Sequence, residues 1–176
     1  MSFHRISLRR CTVDDAAALA IVGAGTLLES FAGMVEGDSL LMHCQNHHSV
    51  ASYQAYLAQP STQAWLAVVA PGEAPVGYVM LTTPDLPLPD IGDDDVEVKR
   101  IYLFARFQGS GGGKLLLDQA VGAAREAGKK RLLLGVNAGN ELALSFYYRN
   151  GFVKVGVRKF QVGATLCDDL VLAMPL

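Results

Sequence analysis

The stretch RFQGSGGGKLLL, residues 106–117, sets four glycines and a lysine between an apolar run and a leucine-rich one. The run before it, VEVKRIYLF (96–104), reads as a strand. After it, Leu117, Val121 and Ala124 fall at helical spacing, which predicts a helix from about Gly111 to Ala127 stopped by Gly128. A strand, a glycine turn and a helix direct several main-chain N–H groups and the positive end of the helix dipole at one point, an arrangement that suits phosphate oxygens. Glycine lets the main chain approach such a ligand with no Cβ in the way.

Spacing separates the anion-binding patterns that compete for this turn. A Walker A loop needs glycine at Gln108 and serine or threonine at Leu115, and fails at both. The dinucleotide pattern G-x-G-x-x-G fails at Lys114 when started at Gly109 and at Leu116 when started at Gly111. An ATP- or NAD-binding protein is therefore disfavoured. The pattern Gln/Arg-x-x-Gly-x-Gly/Ala is met by Gln108, Gly111 and Gly113.

Working outward, HRISLRRCT (4–12) alternates like a half-buried strand, and a helix follows with Thr12 as its N-cap. Residues 31–60 are polar and weakly periodic, with one helix expected over Val50–Gln59 and Pro60 as its stop. AWLAVVA and VGYVMLT flank PGEAP as a hairpin, and TPDLPLPDIGDDD is a surface loop. RLLLGV is a short buried strand, Asn140–Arg149 a helix closed by Gly151, and FVKVGVRKF with DDLVLAMPL a last strand pair. The order predicts one α/β domain over residues 1–176: a mixed, mostly antiparallel sheet of six to seven strands with helices on both faces.

A formal charge of −2 on 176 residues gives no general attraction to nucleic acid or to an anionic membrane, so neither is an expected partner. Three scattered cysteines with no C-x-x-C pair suggest reduced thiols in a cytoplasmic protein. The opening MSFHRISLRR lacks the apolar centre of a signal peptide. HCQNHH (43–48) gathers histidines without an acidic partner, so no metal site is expected. The run Asp93, Asp94, Asp95 offers a negative field that would draw a cationic amine.

RIYLFARFQGSGGGKLLLDQA resembles the pyrophosphate-binding segment of the GNAT superfamily of acetyl-CoA-dependent N-acetyltransferases. NELALSFYYRNGF is similar to a second segment of that superfamily at Asn140, Ala143, Phe146, Tyr147, Gly151 and Phe152. The resemblance extends to the opening strand and helix and leaves out 31–60, the part that varies with substrate. It implies the acyl-CoA N-acyltransferase fold, with the strand ending at Leu103 splayed from the next. Acetyl-CoA would be cosubstrate, its arm paired with main-chain groups of Ile101, Tyr102 and Leu103. Its diphosphate would be held by Gln108, Gly109, Ser110, Gly111, Gly112, Gly113 and Lys114.

Asn140 and Tyr147 lie seven residues apart, almost two helical turns, so a shared face is expected. The resemblance places Asn140 near the cofactor arm and makes Tyr147 the general acid that protonates the departing thiolate. An alkyl ammonium, with pKa about 10, must first lose a proton. Some relatives carry that base on the strand before the Asn helix, where this chain has Gly135. Glu97 is the expected replacement, because Glu97, Lys99 and Arg100 interrupt a strand that would otherwise be buried.

The expected reaction is direct acetyl transfer in a ternary complex to a primary amine, a small molecule or a peptide. The segment from RIY to QG and the ending GATLCDDLVLAM look most like bacterial polyamine acetyltransferases of the spermidine and spermine type. Protein N-termini and aminoglycosides stand as other acceptors, a CoA-binding sensor without catalysis as the competing class, and a homodimer as an option.

Overall fold

The computed structural model describes residues 5–176, so His4, where the first strand was expected to begin, lies outside it. The elements are β1 (Ile6–Arg10), α1 (Ala16–Phe31), α2 (Gly37–His47), α3 (Val50–Leu57), β2 (Gln63–Val69), β3 (Ala74–Thr82), β4 (Asp95–Leu103), α4 (Gly112–Glu126), β5 (Arg131–Asn137), α5 (Glu141–Arg149), β6 (Val153–Val162) and β7 (Thr165–Pro175). The seven strands form one sheet in the order β1-β2-β3-β4-β5-β7-β6. Every neighbouring pair is antiparallel except β4 with β5. No helix among the described residues is long and apolar enough to cross a membrane.

Both faces of the sheet are covered, as expected. On one, Leu116, Leu117, Ala120 and Ala124 of α4 and Tyr147 of α5 pack on Val79, Val98, Leu132 and Leu134. On the other, Leu19 and Val22 of α1 and Tyr53 of α3 pack on Leu66, Val68 and Tyr78. The central strands therefore read as near-continuous apolar runs, QAWLAVV above all, because neither face meets water.

Three readings need correction. A 3-10 turn, Val13–Asp15, follows Thr12 before α1 begins at Ala16, with the Asp15 carboxylate reaching back to the Thr12 N–H at 2.8 Å. The 31–60 segment holds two helices rather than one. α2 escaped the sequence reading because few apolar residues mark its buried side, and its place is set by distant partners. Leu40 packs with Leu27, Val35 and Val162, and the Ala164 N–H donates to Ser39 Oγ at 3.1 Å. Finally, the loop between β3 and β4 is not simply solvated: Leu86, Leu88 and Ile91 cover Leu133, Val171 and Ala173.

The β6–β7 turn fixes α2 at Gly163. Its φ is +57°, and a Cβ there would lie 2.3 Å from the Ser39 carbonyl oxygen and 2.4 Å from its Cα. Backbone cannot swing aside as a side-chain tip can. Gly163→Ala is expected to destabilise the chain by about 2–3 kcal/mol, the range of an overpacked contact with added backbone strain, measured as a fall in the urea midpoint at unchanged slope.

Candidate active site

The parallel pair β4–β5 is hydrogen-bonded over only Asp95–Glu97 and Arg131–Leu133. Beyond Glu97 the strands diverge, so the sheet holds a V that opens toward Leu103. Its closed end is clasped by ion pairs. Arg131 grips Asp95 at 2.8 Å and Asp90 at 2.7 Å, and Lys130 meets Asp94. The aspartate run is thereby explained: Asp94 and Asp95 lock the start of the V, and with basic partners beside them they are no lure for an amine. Eight residues at about 3.3 Å each separate Asp95 from Leu103.

Strand alternation decides which main-chain groups face the V. The Phe104 N–H donates to the Val76 carbonyl at 3.0 Å, so the hydrogen-bonded pairs with β3 are Phe104–Val76 and Tyr102–Tyr78. Ile101 and Leu103 consequently turn their main chain toward β5. Tyr102, expected to contribute its main chain, spends it on β3, and its ring stacks on that of Tyr78 at 6.0 Å. The Leu103 carbonyl accepts from Gln108 Nε2 at 2.9 Å, which ties the glycine turn to the strand end.

The turn has the conformation that its glycines allow. Gly109 has φ +75° and Gly111, the cap of α4, φ +88°, and a Cβ at either would stand in open space. Leu115 donates to the Gly111 carbonyl at 2.9 Å as the first intrahelical bond. The N–H groups of Gly112, Gly113 and Lys114 thus have no acceptor within the helix. Gly112 packs closely, since a Cβ there would lie 2.6 Å from Ile6 Cδ1 and 2.8 Å from Leu103 Cδ2, and those side-chain tips would have to shift. Ser110 Oγ donates to the Phe107 carbonyl at 2.7 Å, and the Lys114 ammonium pairs with Asp118 on its own helix.

Tyr147, 7% exposed, lies between the rings of Phe146 and Phe152, at 5.3 and 5.5 Å. Its hydroxyl has no hydrogen-bond partner among the described residues. Burial, reinforced by the nearby Tyr102, pushes its pKa well above the ordinary phenol value. Asn140 does not share its helical face: it is the N-cap of α5, and its Oδ1 accepts from the Ala143 N–H at 3.1 Å. The side chain is occupied by the helix end, as N-cap asparagines are.

Glu97, 1% exposed, is the last residue of β4 paired with β5, at the apex of the V. Its Oε2 accepts from the Asp85 N–H at 2.8 Å, and Lys99 Nζ stands 3.6 Å from Oε1. Beside it, a cleft of about 500 Å³ is lined by Asp85, Leu86, Lys99, Arg158 and Phe160. At Gly135 the missing side chain has a physical counterpart. A Cβ there would lie 2.5 Å from the Arg158 guanidinium, which occupies the space and bonds Asp169 at 3.0 and 3.1 Å. Sequence reasoning missed Asp169. Burial raises its pKa, with Arg158 opposing, and its charge is felt at Tyr102. The adjacent acids of DDLVLAM gave no hint which one points inward.

Among the described residues no group of three His, Cys, Asp or Glu suited to a metal occurs. His48 Nδ1 shares a hydrogen bond with Tyr53 Oη at 2.9 Å, and Tyr53 Oη with Tyr78 Oη at 2.8 Å. Burial lowers the pKa of His43 to about 4 and of His48 to about 2, with Arg100 adding to both. Depressed values mean that the fold holds these rings neutral while the unfolded chain binds protons below about 6.5. Stability is therefore expected to fall as pH drops from 6.5 toward 4, by up to about 1.4 kcal/mol per pH unit for each ring. Urea titrations at pH 7, 6 and 5 check this, and His48→Gln should flatten the slope.

The fold is shared with solved structures. The PaiA N-acetyltransferase of Thermoplasma acidophilum, in complex with coenzyme A, aligns over 98% of this chain and 99% of its own, with TM-score 0.77 and 19% identity. A GCN5-related N-acetyltransferase of Rhodopseudomonas palustris aligns over 100% and 99%, with TM-score 0.75 and 16% identity. The fold is that of the acyl-CoA N-acyltransferases. Residues 34–152 match the Acetyltransferase (GNAT) family. An uncharacterised N-acetyltransferase of Mycobacterium tuberculosis is 32% identical over 164 residues, 93% of this chain and 99% of that protein. The chain belongs to the GNAT family and is an N-acetyltransferase dependent on acetyl-CoA.

Proposed function

We propose that the chain acts as one catalytic domain that transfers acetyl directly to a primary amine in a ternary complex, with Tyr147 as acid and Glu97 as base. The observation that carries this reading is the V itself. The reading is supported by the main-chain edges at Ile101 and Leu103 that face the gap and by the N–H groups of Gly112 to Lys114 that have no acceptor within α4, and Tyr147 would reach the same gap from α5. The residues present suit a diphosphate with an extended amide-bearing arm. N–H groups from Gly109 to Lys114 would take the diphosphate, with Gln108 and Ser110 bracing the turn. Ile101 and Leu103 would pair with the arm as a strand does. Bound there, acetyl-CoA supplies the activated acetyl thioester.

The chain's own part is proton handling and position. Glu97 at the apex removes a proton from the incoming ammonium through water. Tyr147 donates its Oη proton to the leaving sulfur, a step that suits a phenol whose burial keeps it neutral at working pH. Asp169 is the second carboxylate near the V, and its proximity to Tyr102 makes it the base to examine if Glu97 is dispensable. The free thiols Cys11, Cys44 and Cys167 suit a reducing compartment, which favours the cytoplasm.

The test is thiol release from acetyl-CoA across polyamines, amino acids, peptides and aminoglycosides. Turnover with an amine supports the enzyme reading. Coenzyme A binding with no turnover on any acceptor would leave the sensor.

A further inference from the structure

Among the described residues, Arg100 on the acceptor face stands without a counter-ion. β4 beyond Glu97 sends Ile101 and Leu103 to the α4 face and Arg100 and Tyr102 to the face of α1 and α3. Lys99, Arg158 and Arg100 stand on this side. Lys99 meets Glu97 at 3.6 Å and Asp85 at 3.7 Å, and Arg158 meets Asp169 at 3.0 Å. Arg100 meets no carboxylate among the described residues. Its Nη2 donates to the His47 carbonyl at 2.8 Å, while Nη1 is shielded from solvent and has no partner. The guanidinium lies over the rings of Tyr53 and Tyr56, at 5.0 and 5.2 Å. His43, His47 and His48 also feel it, and each has its pKa lowered in part by it.

Tyrosine faces return only part of what a guanidinium loses on leaving water. A guanidinium held by one carbonyl and two ring faces, with no counter-charge beside it, keeps donor capacity for an anion. It lines a cleft of about 380 Å³ together with His47, Ser52, Tyr56 and Gln59. It adjoins the reaction site. Arg100 lies three residues beyond the apex residue Glu97, about 10 Å along the strand, and two before Tyr102 on the same face.

We propose that Arg100 holds a carboxylate of the acceptor, so that the substrate class is a primary amine that also bears a carboxylate. The proposal rests on the acetyl-transfer reading above and narrows its acceptor. The planar fork of arginine matches a carboxylate in bidentate fashion, which a lysine would not. A polyamine fits this cleft poorly, because one of its positive charges would meet the unpaired guanidinium of Arg100, and like charges at close range repel more strongly in a shielded cleft than in water.

The experiment pairs amino acids of one to five carbons between amine and carboxylate with their amides, and adds 3-aminopropylphosphonate and spermidine. In the wild type the best acid should exceed its amide in kcat/KM by about 10- to 100-fold, the worth of a charge-assisted pair. Arg100→Met should bring that ratio near one, and Arg100→Lys should reduce it partway. A second readout needs no acetyl-CoA: the same acid should raise the thermal midpoint of the free wild-type enzyme more than its amide does, and the difference should vanish in Arg100→Met. If Arg100→Met does not fold, Arg100→Lys decides both. Turnover with spermidine or an amide equal to that with every acid overturns the proposal and leaves the acetyltransferase standing. A phosphonate preferred over every carboxylate also overturns it. No turnover with any acceptor, together with no midpoint shift from any acid, removes both readings, whereas a midpoint shift lost in Arg100→Met supports the carboxylate site alone.

Discussion

Tyr147→Phe is expected to lower kcat by about two to three orders of magnitude, the range for loss of a positioned general acid, while the dissociation constant for acetyl-CoA stays within about twofold. The substitution removes one oxygen. The ring keeps its contacts with Phe146 and Phe152, and no protein hydrogen bond is lost because the hydroxyl makes none. A thermal midpoint near that of the wild type is the control. The raised pKa also fixes the pH behaviour: burial keeps the phenol protonated well past pH 10, so wild-type kcat should show no alkaline limb from Tyr147 in the range where amine acetylation is measured. Single-turnover kinetics separate this from slow product release. A kcat within threefold of the wild type would end the acid role.

The turn and the helix after it were legible in the sequence because local rules specify both. Only glycine takes positive φ cheaply, and a leucine stripe at helical spacing has one stable burial. The V was not legible, because strand pairing that stops after three residues leaves no mark on either strand: VEVKRIYL looks the same paired or splayed. Asn140 shows the limit of face arithmetic. Seven residues do span two turns, but only if the first is helical, and an asparagine at a helix start is more stable as a cap. α2 was invisible because its stability is held by β6 and the hairpin at Gly163, more than a hundred residues away. The same non-locality hid Asp169. Gly135 reads as a missing base until the fold brings Arg158 into its space and Asp169 behind it.

Glu97→Gln carries the second large expectation: at pH 7 kcat/KM for the amine should fall by about two orders of magnitude, and the deficit should shrink as pH rises. An amine of pKa about 10 is deprotonated to roughly one part in a thousand at pH 7, so a variant without a base must wait for the rare free amine. Its log kcat/KM should climb with unit slope toward pH 10 and approach the wild-type line there. Structural loss would behave otherwise. The Gln side-chain oxygen can still accept from the Asp85 N–H, but Lys99 loses one of its two carboxylates, so a modest loss of stability is expected at every pH. A deficit constant with pH would make Glu97 a structural anchor. Attention would then move to Asp169, whose conversion to Asn should produce the same unit slope, accompanied by loss of the ion pair that holds Arg158 in the space beside Gly135.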